Sequence, residues 1–574
     1  MHVHYISFLS ASVLLCASIP SAASPDAAIN VIFPSSPPAS SAVNVVYDNF
    51  LGISFELSSF NTLWGENTST VPPAILNYLH NIRSRLGDSS PLRIRVGGNS
   101  MDESVYTPKQ TQMLTFPDPN APSNNIPTNF GPLLWDVMTA VSTMVGGITY
   151  LVGLSMREDM ASWGEGNVVD TAVAARKALG TALDGFLLGN EPDFYSGHGN
   201  NPGYNISLYI NDVGTILDGL RNSPSGNLIQ SPLIGGPTVC CGWDLKNVIT
   251  SGLDGYNYKY YSMQHYPTHI CGGENPTNTN MSYFLSHSNL DAFVSWNQEG
   301  IKLAKASGIP MLLTEYNSVA CGGSNISDTF AITLWAVDVA LKHAASNFSS
   351  VYLHTREYGV RYNLFDPPSA PPDPSNLNVS STPISLKPGW RTGSPYYAEL
   401  VLAETLSRSG SVVVDLNLNN SETNPAASVA AYGIYDSGGS TRGKLVLFNF
   451  ADTDSKLNQT FRVPGGLKSI VETRLLLASA VDARTGITWA GQTVGEVGDL
   501  QGDQVTVNTD CWNGCAIQIP GPGLAVVWVG DDTMWTGNST LPDFAVNGDC
   551  RAGDAHYAPV VLAVVIAGLL AILC

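Results

Sequence analysis

The chain has 574 residues and a formal net charge of −20, with 44% hydrophobic and only 13% charged residues. This length exceeds that of one ordinary domain, and the high apolar fraction excludes an intrinsically disordered chain. With 27 Lys and Arg against 47 Asp and Glu, the sequence has no positive surplus for a dedicated nucleic-acid-binding protein.

The beginning of the sequence is typical of a secretory signal peptide. Residues 6–19 are apolar but too short to span a bilayer, and Ser21, Ala22 and Ala23 supply small residues for cleavage. A buried N-terminal helix is the alternative. We therefore expect residues 1–23 to be removed, and we expect residues 24–47, where Ala42–Tyr47 alternates in hydrophobicity, to join a later β-sandwich.

Residues 48–375 are predicted to form a (β/α)8 barrel. Eight short apolar runs indicate strands that are buried on both faces. These runs are Leu51–Phe55, Leu92–Val96, Ile148–Leu154, Gly185–Leu188, Leu233–Gly236, Tyr260–Gln264, Met311–Thr314 and Val351–His354. Helical spacing in intervening segments such as Ile75–Leu86 and Asp328–Ala345 completes the alternation. A doubly wound open sheet is the alternative, but no G-x-G-x-x-G motif follows a strand.

A Pro-, Ser- and Asn-rich stretch at residues 367–395 separates the barrel from a second domain, residues 376–535. Short strand-like segments bounded by turn residues predict an antiparallel β-sandwich there. The segments are Ser411–Leu416, Ser428–Tyr435, Lys444–Phe450, Ile470–Leu477, Gln504–Val507, Ala516–Ile519 and Leu524–Val529.

Residues 536–574 resemble a linker followed by a signal for a glycosylphosphatidylinositol (GPI) anchor. Small residues at 547–549, a short polar spacer and the apolar run 558–574 match that pattern, and an ordinary transmembrane helix is the alternative. Nine N-x-S/T sequons also indicate glycosylation of a secreted chain. They begin at Asn67, Asn205, Asn280, Asn325, Asn347, Asn378, Asn419, Asn458 and Asn538.

Six cysteines remain once both ends are removed, and an even number suits an oxidised, secreted protein. They are Cys240, Cys241, Cys271, Cys321, Cys511 and Cys515. Cys511 and Cys515 are spaced to close a short loop, whereas the pairing of the other four stays open. No zinc-like pair of Cys-x-x-Cys motifs is present, so the sequence predicts no metal site.

The carboxyl ends of barrel strands face the active site, and the glutamates at the ends of strands 4 and 7 are expected to stand across one pocket. Glu191 follows strand 4 and Glu315 ends strand 7. Paired carboxylates are sufficient for glycoside cleavage, with one protonated to assist the leaving oxygen and the other ionised to attack the anomeric carbon. This chemistry requires no metal or organic cofactor. Asn190 is placed to meet a sugar hydroxyl, and Tyr266 is placed to hold the nucleophile.

Four motifs together resemble glycoside hydrolase family 79, which contains β-glucuronidases and heparanase-like enzymes. They are Arg-Val-Gly-Gly-Asn-Ser at 95–100, Gly-Asn-Glu-Pro-Asp at 189–193, Gln-His-Tyr at 264–266 and Thr-Glu-Tyr-Asn-Ser at 314–318. Asn190-Glu191-Pro192 with Glu315 also resembles the retaining glycosidases of clan A more broadly. The resemblance covers roughly residues 40–530.

The resemblance implies a role for each catalytic residue. Glu191 would be the acid/base, Glu315 the nucleophile, Tyr266 the residue that orients the nucleophile, and Asn190 the contact to the 2-hydroxyl.

The resemblance also implies a sugar pocket that Glu56, Asn99 and Tyr106 line. The loop containing Gly322, together with Tyr362, would recognise a carboxylate. The sequence departs from the expected family pattern at Ala320, where a Tyr is expected.

Four arginines lie near the ends of strands 2 and 8. Arg93 and Arg95 alternate onto one face of strand 2, and we expect Arg95 to pair with the nucleophile or another carboxylate. The sequence leaves the roles of Arg356 and Arg361 open between a carboxylate clamp and structural pairing.

Taken together, the sequence predicts a secreted, GPI-anchored, retaining exo-β-glucuronidase. Its partner would be a glycan with terminal glucuronic acid, with or without 4-O-methylation, as in arabinogalactan side chains. No nucleic-acid partner is expected, and membrane association would run only through the lipid anchor.

Three alternatives remain. An endo-acting, heparanase-like hydrolase would need Lys and Arg along its cleft, but basic residues are scarce. Another clan A β-glycosidase would share the carboxylate pair, and a non-catalytic carbohydrate-binding protein would have no need of it. The acidic balance disfavours long polyanions but is compatible with one terminal uronate bound by close contacts.

Overall fold

A computed structural model describes residues 28–39, 44–121, 126–156, 160–198, 201–368, 389–452, 458–532 and 534–537. The predicted signal peptide, the GPI-signal tail and the boundary predicted at residues 375 and 376 all lie outside the described residues. Within the described residues, no helix is long and apolar enough to cross a lipid bilayer.

Eight parallel strands close into a barrel in which neighbours in the chain are neighbours in space. Barrel strands 1 to 8 are Leu51–Glu56, Leu92–Gly97, Ile148–Leu154, Leu183–Leu188, Ile234–Val239, Tyr258–Gln264, Met311–Tyr316 and Phe348–Thr355. Every run predicted from continuous apolarity overlaps one of these strands, and the predicted barrel is confirmed. Such runs form strands because helices cover the outer face of a barrel and side chains fill its interior.

Helices on the outside of the barrel connect successive strands. The longer ones are Pro73–Arg83, Leu133–Val145, Met160–Leu179, Ile206–Arg221, Leu245–Thr250, Gln298–Ala306 and Phe330–Ala345. Pro73 lies in the first turn of its helix, where its missing N–H costs nothing, and Ile75, Leu79 and Ile82 form the buried face. Shorter helices are Phe60–Trp64, Asn99–Asp102, Tyr195–His198, Met281–Phe284 and Leu290–Val294.

Segments of the loops at the carboxyl ends of the strands form small sheets. Ser104–Tyr106, Leu114–Thr115 and Thr128–Phe130 form one sheet after strand 2. Thr268–His269 pairs with Val319–Ala320, which ties the loops after strands 6 and 7 together. After strand 8, Phe365–Asp366 pairs with Arg391–Thr392, and the helix Tyr396–Thr405 leads into the second domain.

The second domain is a sandwich of a large and a small sheet. The large sheet contains Val45–Val46, Ser411–Asp415, Val429–Asp436, Thr441–Asn449, Gly523–Trp528, Ile470–Leu477, Thr488–Trp489 and Val507–Asp510. The small sheet contains Ile29–Asn30, Gln459–Val463 and Cys515–Ile519. Two strands that precede the barrel in the chain therefore pair with strands that follow it.

The central strand Thr441–Asn449 shows how the sandwich packs. Leu445 and Leu447 face the core shared with the small sheet. Val446 and Phe448, on the opposite face, belong to the large core that continues into the barrel. Successive side chains of a strand point to opposite faces, so one sheet separates two apolar cores and fixes the sandwich against the barrel.

Two sandwich segments differ from the prediction. The strand expected at Gln504–Val507 begins only at Val507 and runs to Asp510. The strand Gln459–Val463 was not predicted, because only Phe461 and Val463 are buried in it and two positions make a weak alternating signal.

Three disulfides connect the six cysteines. The predicted Cys511–Cys515 loop is confirmed. The pairing that the sequence left open is Cys240–Cys241, between adjacent residues, and Cys271–Cys321, between the loops after strands 6 and 7.

Candidate active site

A cavity of about 510 Å³ opens at the carboxyl ends of the barrel strands. It contains both predicted catalytic glutamates, Glu191 after strand 4 and Glu315 on strand 7. The other lining residues are Asn99, Phe194, Cys240, Cys241, Tyr266, Thr268, His269, Cys271, Ala320, Cys321, Arg356 and Tyr362. Residues from distant parts of the sequence meet here because parallel strands all end at the same rim.

Glu315 is held as an anion. Arg95 Nη1 donates to its Oε2 at 2.6 Å, and the Tyr266 hydroxyl donates to its Oε1 at 2.9 Å. His354 Nε2 lies 3.7 Å from the same Oε1. Burial opposes ionisation, but the charges of His354 and Arg95 outweigh it, and the pKa of Glu315 is lowered. The predicted pairing of Arg95 with the nucleophile is confirmed.

Glu191 has the opposite acidity. Burial of its carboxyl, followed by the negative charges of Glu315 and Asp193, raises its pKa well above the ordinary value of 4.5. Its backbone is left-handed, with φ 49°, which is rare for a residue with a side chain and occurs often at functional sites. The opposite pKa shifts of Glu191 and Glu315 place a protonated carboxyl and an ionised carboxylate in one cavity. This is the pair that glycoside cleavage needs.

Asn190 connects strand 2 to strand 4. Its Oδ1 accepts from Arg95 Nη2 at 2.6 Å and from Gln264 Nε2 at 2.8 Å, and its Nδ2 donates to Asn99 Oδ1 at 2.7 Å. Its backbone N–H donates to Asp102 Oδ2 at 2.8 Å. Arg95 therefore holds Asn190 and the nucleophile with one guanidinium group.

Glu56 is buried next to His354, which also lies near the nucleophile Glu315, and Glu56 does not line the cavity. Its Oε1 accepts from the Ser100 backbone N–H at 2.8 Å, and its Oε2 lies 3.4 Å from His354 Nε2. Burial opposes ionisation, yet His354 and Arg356 lower the pKa of Glu56 to about 2. Glu56 thus remains an anion, and its predicted contact with sugar hydroxyls stays a prediction.

The glycine pair after Arg95 is required by the side chains around it. A Cβ on Gly97 would lie 2.5 Å from Arg95 Nε, and one on Gly98 would lie 2.1 Å from Glu56 Oε2. Gly98 also has φ 85°, which disfavours any other residue. The Arg-Val-Gly-Gly motif therefore leaves room for Arg95 and Glu56 inside the barrel rim.

The remaining predicted pocket residues divide into two groups. Asn99, Tyr266 and Tyr362 line the cavity, whereas Gly322, which follows the lining residue Cys321 in the chain, does not. Tyr106 is not brought to the cavity: it packs against Phe130 and Trp135, at ring-centroid distances of 5.4 and 6.2 Å. The chain turns away after residue 102, and the strand containing Tyr106 pairs with Thr128–Phe130.

Sequence reasoning missed two carboxylates that hold the segments adjoining Glu191. Asp102 accepts from the Tyr195 hydroxyl at 2.6 Å as well as from the Asn190 N–H. Asp193 accepts from the backbone N–H groups of Cys241 and Gly242 at 2.8 and 2.6 Å. No motif spacing pointed to Asp102, whereas Asp193 stood inside the quoted Gly-Asn-Glu-Pro-Asp motif.

Within the described part of the chain, no three His, Cys, Asp or Glu residues are grouped so that they could hold a metal ion.

Comparisons with known proteins address both domains. Residues 431–526 match the glycosyl hydrolase family 79 C-terminal beta domain. A β-glucuronidase of Neurospora crassa is 26% identical over 506 residues, which cover 78% of this chain and 85% of the relative. The chain resembles glycoside hydrolase family 79. A β-glucuronidase of Aspergillus niger is also 26% identical, over 86% of this chain and 92% of the relative.

A solved structure extends this similarity to the whole fold. The 4-O-α-L-rhamnosyl-β-D-glucuronidase of Fusarium oxysporum, determined with Rha-GlcA, has a TM-score of 0.70 and 22% identity. The match covers 88% of this chain and all of the other. It supports the combination of barrel and sandwich seen here.

Proposed function

We propose that this protein is a retaining exo-β-glucuronidase that removes terminal β-linked glucuronic acid from glycans. The observation that carries the proposal is the pair of glutamates in one cavity, Glu315 with a lowered pKa and Glu191 with a raised one. An ionised nucleophile and a protonated acid can coexist at one pH only when their surroundings separate them in this way.

The reaction would proceed by double displacement. The Glu315 carboxylate attacks the anomeric carbon while Glu191 donates its proton to the glycosidic oxygen, so the bond breaks and the alcohol leaves. Glu191, now ionised, takes a proton from water, and the resulting hydroxide displaces Glu315 from the anomeric carbon. Tyr266 and Arg95 hold the nucleophile in one orientation throughout.

Preference for a uronic acid is supported by the relatives and by the cavity. Both curated relatives are named β-glucuronidases. Arg356 and Tyr362 line the cavity that also contains Glu315 and Cys321. A guanidinium and a phenol hydroxyl are suitable donors for a sugar carboxylate. In this proposal Arg356 supplies the positive charge that the overall acidic chain lacks.

The assay compares turnover of p-nitrophenyl β-D-glucuronide with that of the β-D-glucoside and the β-D-xyloside. We expect a clear preference for the glucuronide, with the β-anomer of glucuronic acid released first in a proton NMR time course. The 4-O-methyl glucuronide, tested in parallel, decides whether a 4-O-substituent is accepted. Faster hydrolysis of the glucoside would contradict the proposed specificity.

Two variants test the catalytic assignment. Glu315→Gln and Glu191→Gln should each lower kcat about a thousandfold or more, as expected for loss of a nucleophile or a general acid. Glu299→Gln is the matched control, since it makes the same substitution in an exposed pair with Lys302 and Glu299 does not line the cavity. Near wild-type turnover by Glu315→Gln would leave a binding protein or an unrelated mechanism as the explanation.

We further propose that the protein is secreted and attached to the cell surface by a GPI anchor. Three disulfides in the described residues support an oxidising compartment, and residues 536–574 carry the anchor-signal pattern. Phosphatidylinositol-specific phospholipase C should release the protein from membranes. Membrane retention after treatment, with the intact tail peptide found by mass spectrometry, would contradict the anchor.

A further inference from the structure

The wall of the cavity next to the acid is made by an unusual disulfide. Cys240 and Cys241 are adjacent in the chain, bonded to each other, and follow barrel strand 5 directly. Both line the cavity, together with Phe194, which lies in the short turn that begins just after Glu191. We refer to Phe194, Cys240 and Cys241 as the disulfide wall.

The polar backbone groups of this wall are already engaged. The N–H groups of Cys240, Cys241 and Gly242 all donate to the Asp193 carboxylate, at 3.2, 2.8 and 2.6 Å. Phe194 and the two cysteines line the cavity, and their side chains offer a ligand carbon and sulfur atoms. A disulfide between adjacent residues closes a small ring and fixes both side chains. The surface is apolar because it exposes carbon and sulfur atoms, and because it is rigid it loses little conformational entropy when a ligand binds.

The position of the wall identifies the part of the substrate it meets. Asp193 and Phe194 are two and three residues after Glu191, and Asp193 binds the cysteine loop, so the wall adjoins the acid. Tyr266 contacts Glu315, the proposed nucleophile. A general acid lies beside the oxygen of the departing group, so the wall belongs to the leaving-group side of the cavity.

We infer, on the basis of the glucuronidase function proposed above, that the disulfide wall is the subsite for the leaving sugar and takes the apolar face of an uncharged pyranose ring. Sugar rings expose C–H groups on their faces, and apolar contact with a rigid wall orients them while excluding water. The Asp193 carboxylate binds the N–H groups of this wall, so a leaving sugar with sulfate or carboxylate groups is disfavoured by like charge.

The test uses two substrates that both need protonation by the acid but differ in the leaving ring. These are a β-D-glucuronosyl-galactose disaccharide and methyl β-D-glucuronide. In the double variant C240A/C241A, kcat/KM for the disaccharide should fall about fivefold to tenfold, as expected for loss of a modest apolar contact. The value for the methyl glucuronide should stay unchanged. Phe194→Ala should show the same selective loss and covers the case in which the double variant does not fold.

The control is C511A/C515A, which removes a disulfide of the sandwich and should alter neither substrate. An equal fall for both substrates would mean that the wall only holds Glu191 in place, and it would overturn the inference. Unchanged values for both substrates would also overturn it. If the wild-type protein turns over no glucuronide at all, the proposed function fails instead, so the two failures are distinguishable.

Discussion

At the scale of single residues, the surroundings give two glutamates opposite tasks. Electrostatic attraction by His354 and Arg95 lowers the pKa of Glu315 in spite of burial. Glu191 is half-buried in the same cavity, and desolvation together with the like charges of Glu315 and Asp193 favours its protonated form. The negative charge of the nucleophile therefore helps to keep the carboxyl group of the acid protonated.

This coupling predicts a change of acidity in a variant. In Glu315→Gln the like charge is gone, so the pKa of Glu191 should fall, while burial keeps it above the ordinary value. Carbon-13 NMR titration of labelled glutamate carboxyls measures the shift. Glu299→Gln, an exposed change on a distant helix, is the control and should leave Glu191 unaffected. A Glu191 pKa that stays the same or rises would contradict the coupling.

The same pair predicts the shape of the pH profile. Activity needs Glu315 ionised and Glu191 protonated, so kcat/KM should be bell-shaped. Its acidic limb should lie below pH 4.5, because the pKa of Glu315 is lowered from that value. Its alkaline limb should lie above pH 4.5, because the pKa of Glu191 is raised well above it. An alkaline limb at or below pH 4.5 would be inconsistent with Glu191 as the acid.

Arg356 predicts a specificity change. Arg356→Gln should raise KM for the glucuronide about tenfold and leave KM for the glucoside nearly unchanged, because only the uronate loses a charged partner. The ratio of the two constants separates recognition from general damage to the site. A proportional rise for both substrates would assign Arg356 a structural role with its neighbour Glu357, which accepts from Arg356 Nε at 2.6 Å.

At the scale of elements, a buried histidine joins the barrel to the sandwich. His287 Nδ1 lies 3.0 Å from Asp338 on helix Phe330–Ala345, and its Nε2 lies 2.8 Å from Asp415 on strand Ser411–Asp415. Burial disfavours the imidazolium, but the charges and hydrogen bonds of Asp338 and Asp415 raise the pKa of His287 to about 10.

This histidine predicts a loss of stability in alkali. A group with a raised folded-state pKa stabilises fully below its unfolded value of 6.5, and that contribution disappears as the pH rises to about 10. The melting temperature should therefore fall across this interval, and less steeply in His287→Gln. His80→Gln is the matched control. The pKa of His80 is lowered from 6.5, chiefly by burial, so this side chain titrates below the pH interval in which His287 loses its proton. Parallel slopes for wild type and His287→Gln would contradict the assignment.

At the scale of the whole molecule, one carboxylate connects both domains. Glu404 on helix Tyr396–Thr405 accepts from Arg85 Nε at 2.7 Å and pairs with Arg474 of sandwich strand Ile470–Leu477. The Trp489 indole N–H also donates to it at 3.0 Å. All three charged groups are buried, so each charge depends on its partners for solvation.

Removal of this carboxylate should destabilise the whole fold. Glu404→Gln leaves two buried guanidinium groups without a counter-charge, and we expect the free energy of unfolding to fall by about 3 to 5 kcal/mol. Urea denaturation followed by tryptophan fluorescence measures it. Glu299→Gln removes an exposed pair with Lys302 and should change little. A similarly small effect at Glu404 would show that the two domains do not depend on this triad.

Much of the fold could be predicted because barrel strands are distinctive. Runs such as Ile148–Leu154 are apolar throughout because both faces are covered, and no other common environment produces eight of them between helices. The strand Gln459–Val463 was not predicted because, although it is the central strand of the small sheet, only Phe461 and Val463 are buried in it. The catalytic pair followed from strand ends, whereas Tyr106 was misplaced because loop paths depend on contacts with distant segments such as Thr128–Phe130.

The sequence by itself determined the barrel, the sandwich, the strand ends that carry Glu191 and Glu315, and the resemblance to family 79, because these depend on local hydrophobic pattern and short motifs. Only the tertiary structure decided that Cys240 pairs with Cys241 and that the Arg95 guanidinium donates hydrogen bonds to both Asn190 and the nucleophile. It also decided that the pKa values of the two glutamates shift in opposite directions. Those properties arise from distances and burial between residues far apart in the chain, and electrostatic interactions depend on that geometry and not on spacing along the sequence.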